Sequence, residues 1–138
     1  MGTINLAAVF LGAIAWFVLG ALWYGPLFGR AWKDALGWQD GAFPAGVPQS
    51  RNPLPLIMGL AFAFELLVCL MLGHNIARTS PAPHVIMMMA IGFGAVIMTP
   101  ALGIHYLYQM RPAKLFWIDA GYLTLGMALV GGAFVLLR

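Results

Sequence analysis

Residues 54–72 read Leu-Pro-Leu-Ile-Met-Gly-Leu-Ala-Phe-Ala-Phe-Glu-Leu-Leu-Val-Cys-Leu-Met-Leu, a stretch whose single charge is Glu65. An α-helix rises about 1.5 Å per residue, so about 20 apolar residues cross the ~30 Å hydrocarbon core of a bilayer. This stretch has that length, and it lacks the polar face that a helix on a water-soluble domain keeps. Three more runs of the same kind surround it, at 4–24, 85–104 and 115–137. The chain is therefore expected to be all-α, a single domain over 1–138 and a membrane protein with four transmembrane helices.

Composition points the same way. The sequence is 62% hydrophobic and 8% charged, which leaves too little polar surface for a soluble globule of 138 residues. The net charge of +3 does not indicate nucleic acid, because Arg30, Lys33, Arg51, Arg78, Arg111, Lys114 and Arg138 are scattered and form no stripe along which a phosphate backbone would run. The lone thiol, Cys69, falls inside 54–72, so neither an intrachain disulfide nor a thiol cluster is available. The first run has no basic stretch before it and leads into Trp23-Tyr24-Gly25-Pro26 rather than a small-residue cleavage site, so it is expected to remain as a membrane helix.

Four spans put the connections near 25–53 and 105–114 on one side. They carry Arg30, Lys33, Arg51, Arg111 and Lys114, against Arg78 and Arg138 on the other. The positive-inside rule then places these two connections in the cytoplasm and both termini on the non-cytoplasmic side. Trp23, Tyr24, Trp32 and Trp117 are expected as interfacial anchors, since amphipathic rings suit the headgroup level. Between the first two spans, the apolar residues of 27–36 recur at helical spacing opposite Arg30, Lys33 and Asp34, which predicts a short amphipathic helix lying in the interface and stopped by Gly37. Pro44, Pro48 and Pro53 with Gly41 and Gly46 make 38–53 a loop. The small-residue pairs Ala8 and Gly12, Ala90 and Gly94, and Ala128 and Gly132 offer faces where helix backbones approach closely, within one chain or between copies.

Two segments together carry a family likeness. Gly20-Ala21-Leu22-Trp23-Tyr24-Gly25-Pro26-Leu27-Phe28-Gly29-Arg30-Ala31-Trp32 contains a Trp-Tyr-x-Pro-Leu-Phe-Gly signature with a second Trp shortly after it. Tyr108-Gln109-Met110-Arg111-Pro112 is followed by Leu115, Ile118, Asp119, Ala120, Gly121 and Tyr122. In this order they resemble the domain of unknown function 1761 family. The resemblance implies a mainly bacterial four-helix protein of the inner (cell) membrane and brings no activity with it. His105 stands where the family pattern has Asn, and Glu65 aligns with no family motif, so any role for either belongs to this sequence.

Glu65 is the sharpest chemical feature. It lies 11 residues into its span, roughly 16 Å from the start and near mid-membrane. An ionised carboxylate at that depth costs about 2.5–3.5 kcal/mol unless it meets a proton, water or a partner. Two readings follow: a proton or cation site, or a protonated acid tying two helices together. Asp119 lies nearer the end of its span with Tyr122 on the same helix face at i+3. Arg111 and Lys114, close by at the boundary, are its expected charge partners; an ion entrance is the other reading. Glu65, Asp119, His105 and Tyr122 thus form the candidate transport or proton site.

His74, His84 and Met87-Met88-Met89 invite a copper reading. Consecutive helical residues point about 100° apart, so the three thioethers cannot share an ion, and apolar packing is the preferred reading. Pro100 after Thr99 is expected to kink the third span, with a Thr hydroxyl available to a freed carbonyl. No catalytic signature is present, so no enzyme, cofactor or metal site is expected. The expected partners are the lipid bilayer and further copies of the chain as a homo-oligomer. The functional expectation is a small oligomeric proton- or cation-linked transporter or channel. The alternative is an accessory or scaffold subunit of a larger membrane complex, with a membrane-protein partner and no transport.

Overall fold

The computed structural model describes residues 2–38 and 52–138 and is all-helical within them. Four helices are long and apolar enough to cross a membrane: α1 (Leu6–Leu27), α3 (Leu54–Thr79), α4 (Pro83–Tyr108) and α5 (Ala113–Leu136). The short α2 (Gly29–Leu36) follows α1 and ends at Gly37, whose φ of 77° is the left-handed conformation that stops a helix. The loop expected over 38–53 falls, from 39 to 51, outside the described residues.

Local chemistry sets the helix ends. The Asn5 side chain accepts from the Ala8 N–H at 3.1 Å and caps α1, while its Nδ2 donates to the Leu137 carbonyl at 2.9 Å and ties that end to the end of α5. Pro53, Ala82 and Pro112 hold the extended backbone that opens α3, α4 and α5. Ser80 and Met110, both at positive φ, close α3 and the turn after α4. The spans run past the hydrocarbon limits that the sequence marks: α3 continues through His74, Asn75 and Arg78, because a helix need not end where hydrocarbon does.

The helices pack in the order α3, α1, α5, α4, with α1 lying extensively along both α5 and α3, and α4 along α5. α3 and α4 meet little although only residues 80–82 separate them. The core is built from Ala8, Val9, Ala13 and Trp16 of α1, Cys69 and Leu72 of α3, Ile86 and Ala90 of α4, and Met127, Val130 and Phe134 of α5. The outward faces of α3 and α4 stay apolar, with Phe64, Leu67, Met88 and Val96 among the exposed residues, as lipid contact requires.

Small residues set the approach of α1 and α5. A Cβ on Gly126 would lie 2.2 Å from the Trp16 ring, and one on Gly12 would lie 3.1 Å from Val130. Of the three expected small-residue pairs, Ala8/Gly12 and Ala90/Gly94 face α5. Gly132 meets open space, and its place at the α4 interface is taken by Gly131, where a Cβ would come within 2.7 Å of Ala90. The run of methionines splits as its spacing requires: Met87 lies against Gly131, Met88 faces outward and Met89 packs on the core.

Two spans contain a widened, π-helical turn, and each lies just before or around a proline. In α1 the turn is Trp23–Leu27 with Pro26 inside it; in α4 it is Phe93–Met98, followed by Thr99-Pro100. A proline ring clashes with the carbonyl four residues back, and adding one residue to the turn relieves that clash. The Thr99 hydroxyl donates to the Gly94 carbonyl at 2.6 Å, which realises the expected Thr contact.

Candidate functional site

The Trp23-Tyr24-Gly25-Pro26-Leu27-Phe28-Gly29 segment reaches across to α5. In the widened turn, both Trp23 and Tyr24 bond to it: the Trp23 Nε1 donates to the Ile118 carbonyl at 3.0 Å, and the Tyr24 hydroxyl donates to Asp119 Oδ1. Trp23 lies over Gly121, where a Cβ would come within 2.8 Å of the ring. Gly29 lets the chain fold back over α1: a Cβ there would sit 2.7 Å from the Tyr24 carbonyl oxygen, a backbone atom that cannot turn away. The fold-back sets the Trp32 ring edge-on to Tyr24, with centroids 5.0 Å apart.

Asp119, 7% exposed, receives a second phenol. The Tyr106 hydroxyl of α4 donates to Oδ2, so each carboxylate oxygen holds one donor and the acid joins α1, α4 and α5. This corrects the expected charge pair. Arg111 and Lys114 are both exposed, and the Arg111 Nε donates to Gln109 at 3.3 Å. Phenols win at this depth because they satisfy a buried carboxylate without bringing a second charge out of water. His105 is also corrected: it lies on the exposed face of α4, and its neighbour Tyr106 enters the site instead.

Glu65, 6% exposed, lies near the middle of α3. The Tyr122 hydroxyl donates to its Oε1 at 2.7 Å, while Oε2 is buried with no hydrogen-bond partner. Tyr122 packs across Gly20 of α1 and sets its ring 5.1 Å from that of Tyr24. The two acids are thus bridged by two touching phenols, each bonded to one of them.

Glu65 and Tyr122 lie at the inner limit of a cavity of about 540 Å³ between α1, α2 and α3. The rings of Phe17, Tyr24, Trp32, Trp38 and Tyr122 line it, along with Ile57, Met58 and Ala61, and Lys33 lies on its α2 side. From Leu54 to Glu65 it follows α3 for roughly 16 Å. Beyond Glu65 on the same helix, Cys69 and Leu72 are fully buried in the core.

Of the expected site residues, Glu65, Asp119 and Tyr122 come together and His105 does not. Among the expected anchors, Trp117 is 69% exposed. Trp23, Tyr24 and Trp32 also help build the site. Tyr24 and Tyr106 as acid partners were missed by sequence reasoning. The available signal was that a buried acid needs donors, and both phenols lie at the same end of the bundle as Asp119.

Comparison with known proteins gives one family: the model described as "Protein of unknown function (DUF1761)" matches residues 7–135. No curated protein matches the chain. No solved structure matches it.

Proposed function

The chain belongs to that family, which brings no activity with it, and from the site alone we propose that the protein is a small proton- or cation-linked transporter whose exchanging group is Glu65. One observation carries this reading: Glu65 is buried in mid-span at the inner limit of a cavity, with one oxygen held by Tyr122 and the other without a partner. A buried acceptor left open costs about 1–3 kcal/mol. A proton on Glu65 removes the buried charge and a cation pairs with the open oxygen, so the two compete for the same site. Tyr122 keeps the carboxyl in one rotamer while the exchange takes place. Asp119, held by both of its phenols, is the tie that joins α1, α4 and α5 beside the cavity.

As part of the same proposal the working unit is a homo-oligomer, because the cavity of one chain stops at Glu65 and a complete path needs a further opening. The membrane is a bacterial inner membrane, with the first and third connections cytoplasmic, as the bias of Arg and Lys indicates.

Flux in proteoliposomes tests the transport reading. A pH gradient is imposed and internal pH is followed with a trapped dye, with Na⁺, K⁺ or a quaternary ammonium ion outside. Wild-type protein should dissipate the gradient with at least one of these ions, and Glu65→Gln should not, while eluting as the same monodisperse species. Equal rates for the two proteins, or no flux above empty vesicles with any ion, would remove transport through Glu65.

A further inference from the structure

Resting on the transport reading of Glu65, we infer that the cavity takes a lipophilic organic cation, with its positive centre at the Glu65 carboxylate and its apolar body among the aromatic rings. Size is the first argument. About 540 Å³ lies within the ~300–1,000 Å³ range of pockets that hold drug-sized molecules and is far more than a bare metal ion fills. The donor set is the second. A hard inorganic cation needs about six oxygen ligands, whereas the hydroxyls of Tyr24 and Tyr122 are committed to Asp119 and Glu65. Among the described residues no group of three His, Cys, Asp or Glu side chains gathers anywhere. One carboxylate in an apolar cavity suits a cation whose charge is already wrapped in hydrocarbon.

The walls argue likewise. Aromatic faces attract a cation within about 6 Å, and the chain's own Lys33 ammonium lies 5.8 Å from the Trp38 ring centroid, so a ring of this cavity already carries a positive group. Sign is decided by hydration. Lys33 is exposed and keeps its water, while Glu65 is 6% exposed and has lost it. A charge stripped of water is felt far more strongly by a ligand than a hydrated one. Once deprotonated, Glu65 is therefore the less hydrated of the two charges and favours a cation over an anion at the inner end. Since one carboxylate neutralises one positive charge, the proton passes from Glu65 to water at the cavity mouth as the organic cation takes its place.

Tetraphenylphosphonium and tetraphenylborate, alike in shape and opposite in charge, test this by titration calorimetry on protein in nanodiscs, with empty nanodiscs subtracted. The phosphonium should bind and the borate should not. Glu65→Gln should weaken phosphonium binding by about 100-fold, the factor expected of a unit charge pair ~6 Å apart at an effective permittivity of ~20. Ala61→Phe, which keeps the acid and fills the cavity one helical turn away, should also abolish binding and serves if Glu65→Gln fails to fold. Equal binding of the two ions, preference for the borate, or a loss below about tenfold in the Gln variant overturns the proposal. Glu65-dependent flux without phosphonium binding discards the ligand class and leaves the transport reading standing. Charge-selective binding without flux does the reverse.

Discussion

Removing both phenols from Asp119 should cost more than the sum of removing each. The carboxylate is 7% exposed and holds one donor on each oxygen, Tyr24 on Oδ1 and Tyr106 on Oδ2. Hydrogen bonds between membrane helices average about 0.6 kcal/mol and reach about 1.7. Tyr24→Phe or Tyr106→Phe alone should therefore cost ~1 kcal/mol, because the remaining phenol still holds the acid. The double variant leaves a buried carboxylate with neither phenol, a situation worth ~3–5 kcal/mol. The expected coupling is then ~1–3 kcal/mol beyond the ~2 kcal/mol sum. Equilibrium unfolding in mixed micelles on raising the fraction of a denaturing detergent gives all four corners of the cycle. Repeating it with Asp119→Asn, which carries no charge to strand, should bring the two phenol changes close to additive. Additivity within ~0.5 kcal/mol in the Asp119 background, the scatter of independent sites, would refute the idea that the two tyrosines serve one acid.

Two further outcomes follow from close approaches. Gly126→Ala places a Cβ about 2.2 Å from the buried Trp16 ring and should cost ~1–3 kcal/mol in the same unfolding assay, with Trp16→Leu recovering part of the loss. Gly29→Ala, pressed on the Tyr24 carbonyl at 2.7 Å, should lift α2 away from α1; tryptophan emission should shift to the red and proteolysis within Gly29–Leu36 should quicken, whereas wild-type spectra and cleavage rates would show that α2 does not depend on this contact.

The spans were legible because hydrocarbon imposes a length and a composition that few other environments ask for. Their ends were less so. Hydropathy marks the thickness of the apolar layer, whereas α3 stops at Thr79 because Ser80 turns to positive φ ahead of Pro81. The two acids could be singled out from the cost of placing charge in lipid, and the partners of Asp119 could not. Which side chains meet depends on which backbones approach. That is decided by Gly20 under Tyr122, Gly121 under Trp23 and Gly126 under Trp16, three contacts between α1 and α5. Seventeen glycines in the sequence make such positions hard to distinguish from the many that face lipid or open space, Gly132 among them. Arg111 and Lys114 drew attention by proximity in sequence, yet a phenol about 95 residues away is closer in space to Asp119 than either ammonium or guanidinium.

The two acids also act as controls for one another. Both are less than 10% exposed, both lie within membrane spans, and both accept a tyrosine hydroxyl. Asp119 shows that this bundle can supply a phenol to each oxygen of a buried carboxyl. Glu65 has a phenol on one oxygen, and its other oxygen is buried without a hydrogen-bond partner, in a side chain that helps line the aromatic cavity. A purely structural acid in that place would gain about 1–3 kcal/mol from one more donor, and the substitution of a single residue along the cavity wall, such as Ala61 one turn before Glu65, would be enough to bring one within reach. Stability alone therefore does not account for the unpaired oxygen; the proposed exchange of a positive charge at Glu65 does, since a second permanent donor would hold the carboxylate as firmly as Asp119 is held.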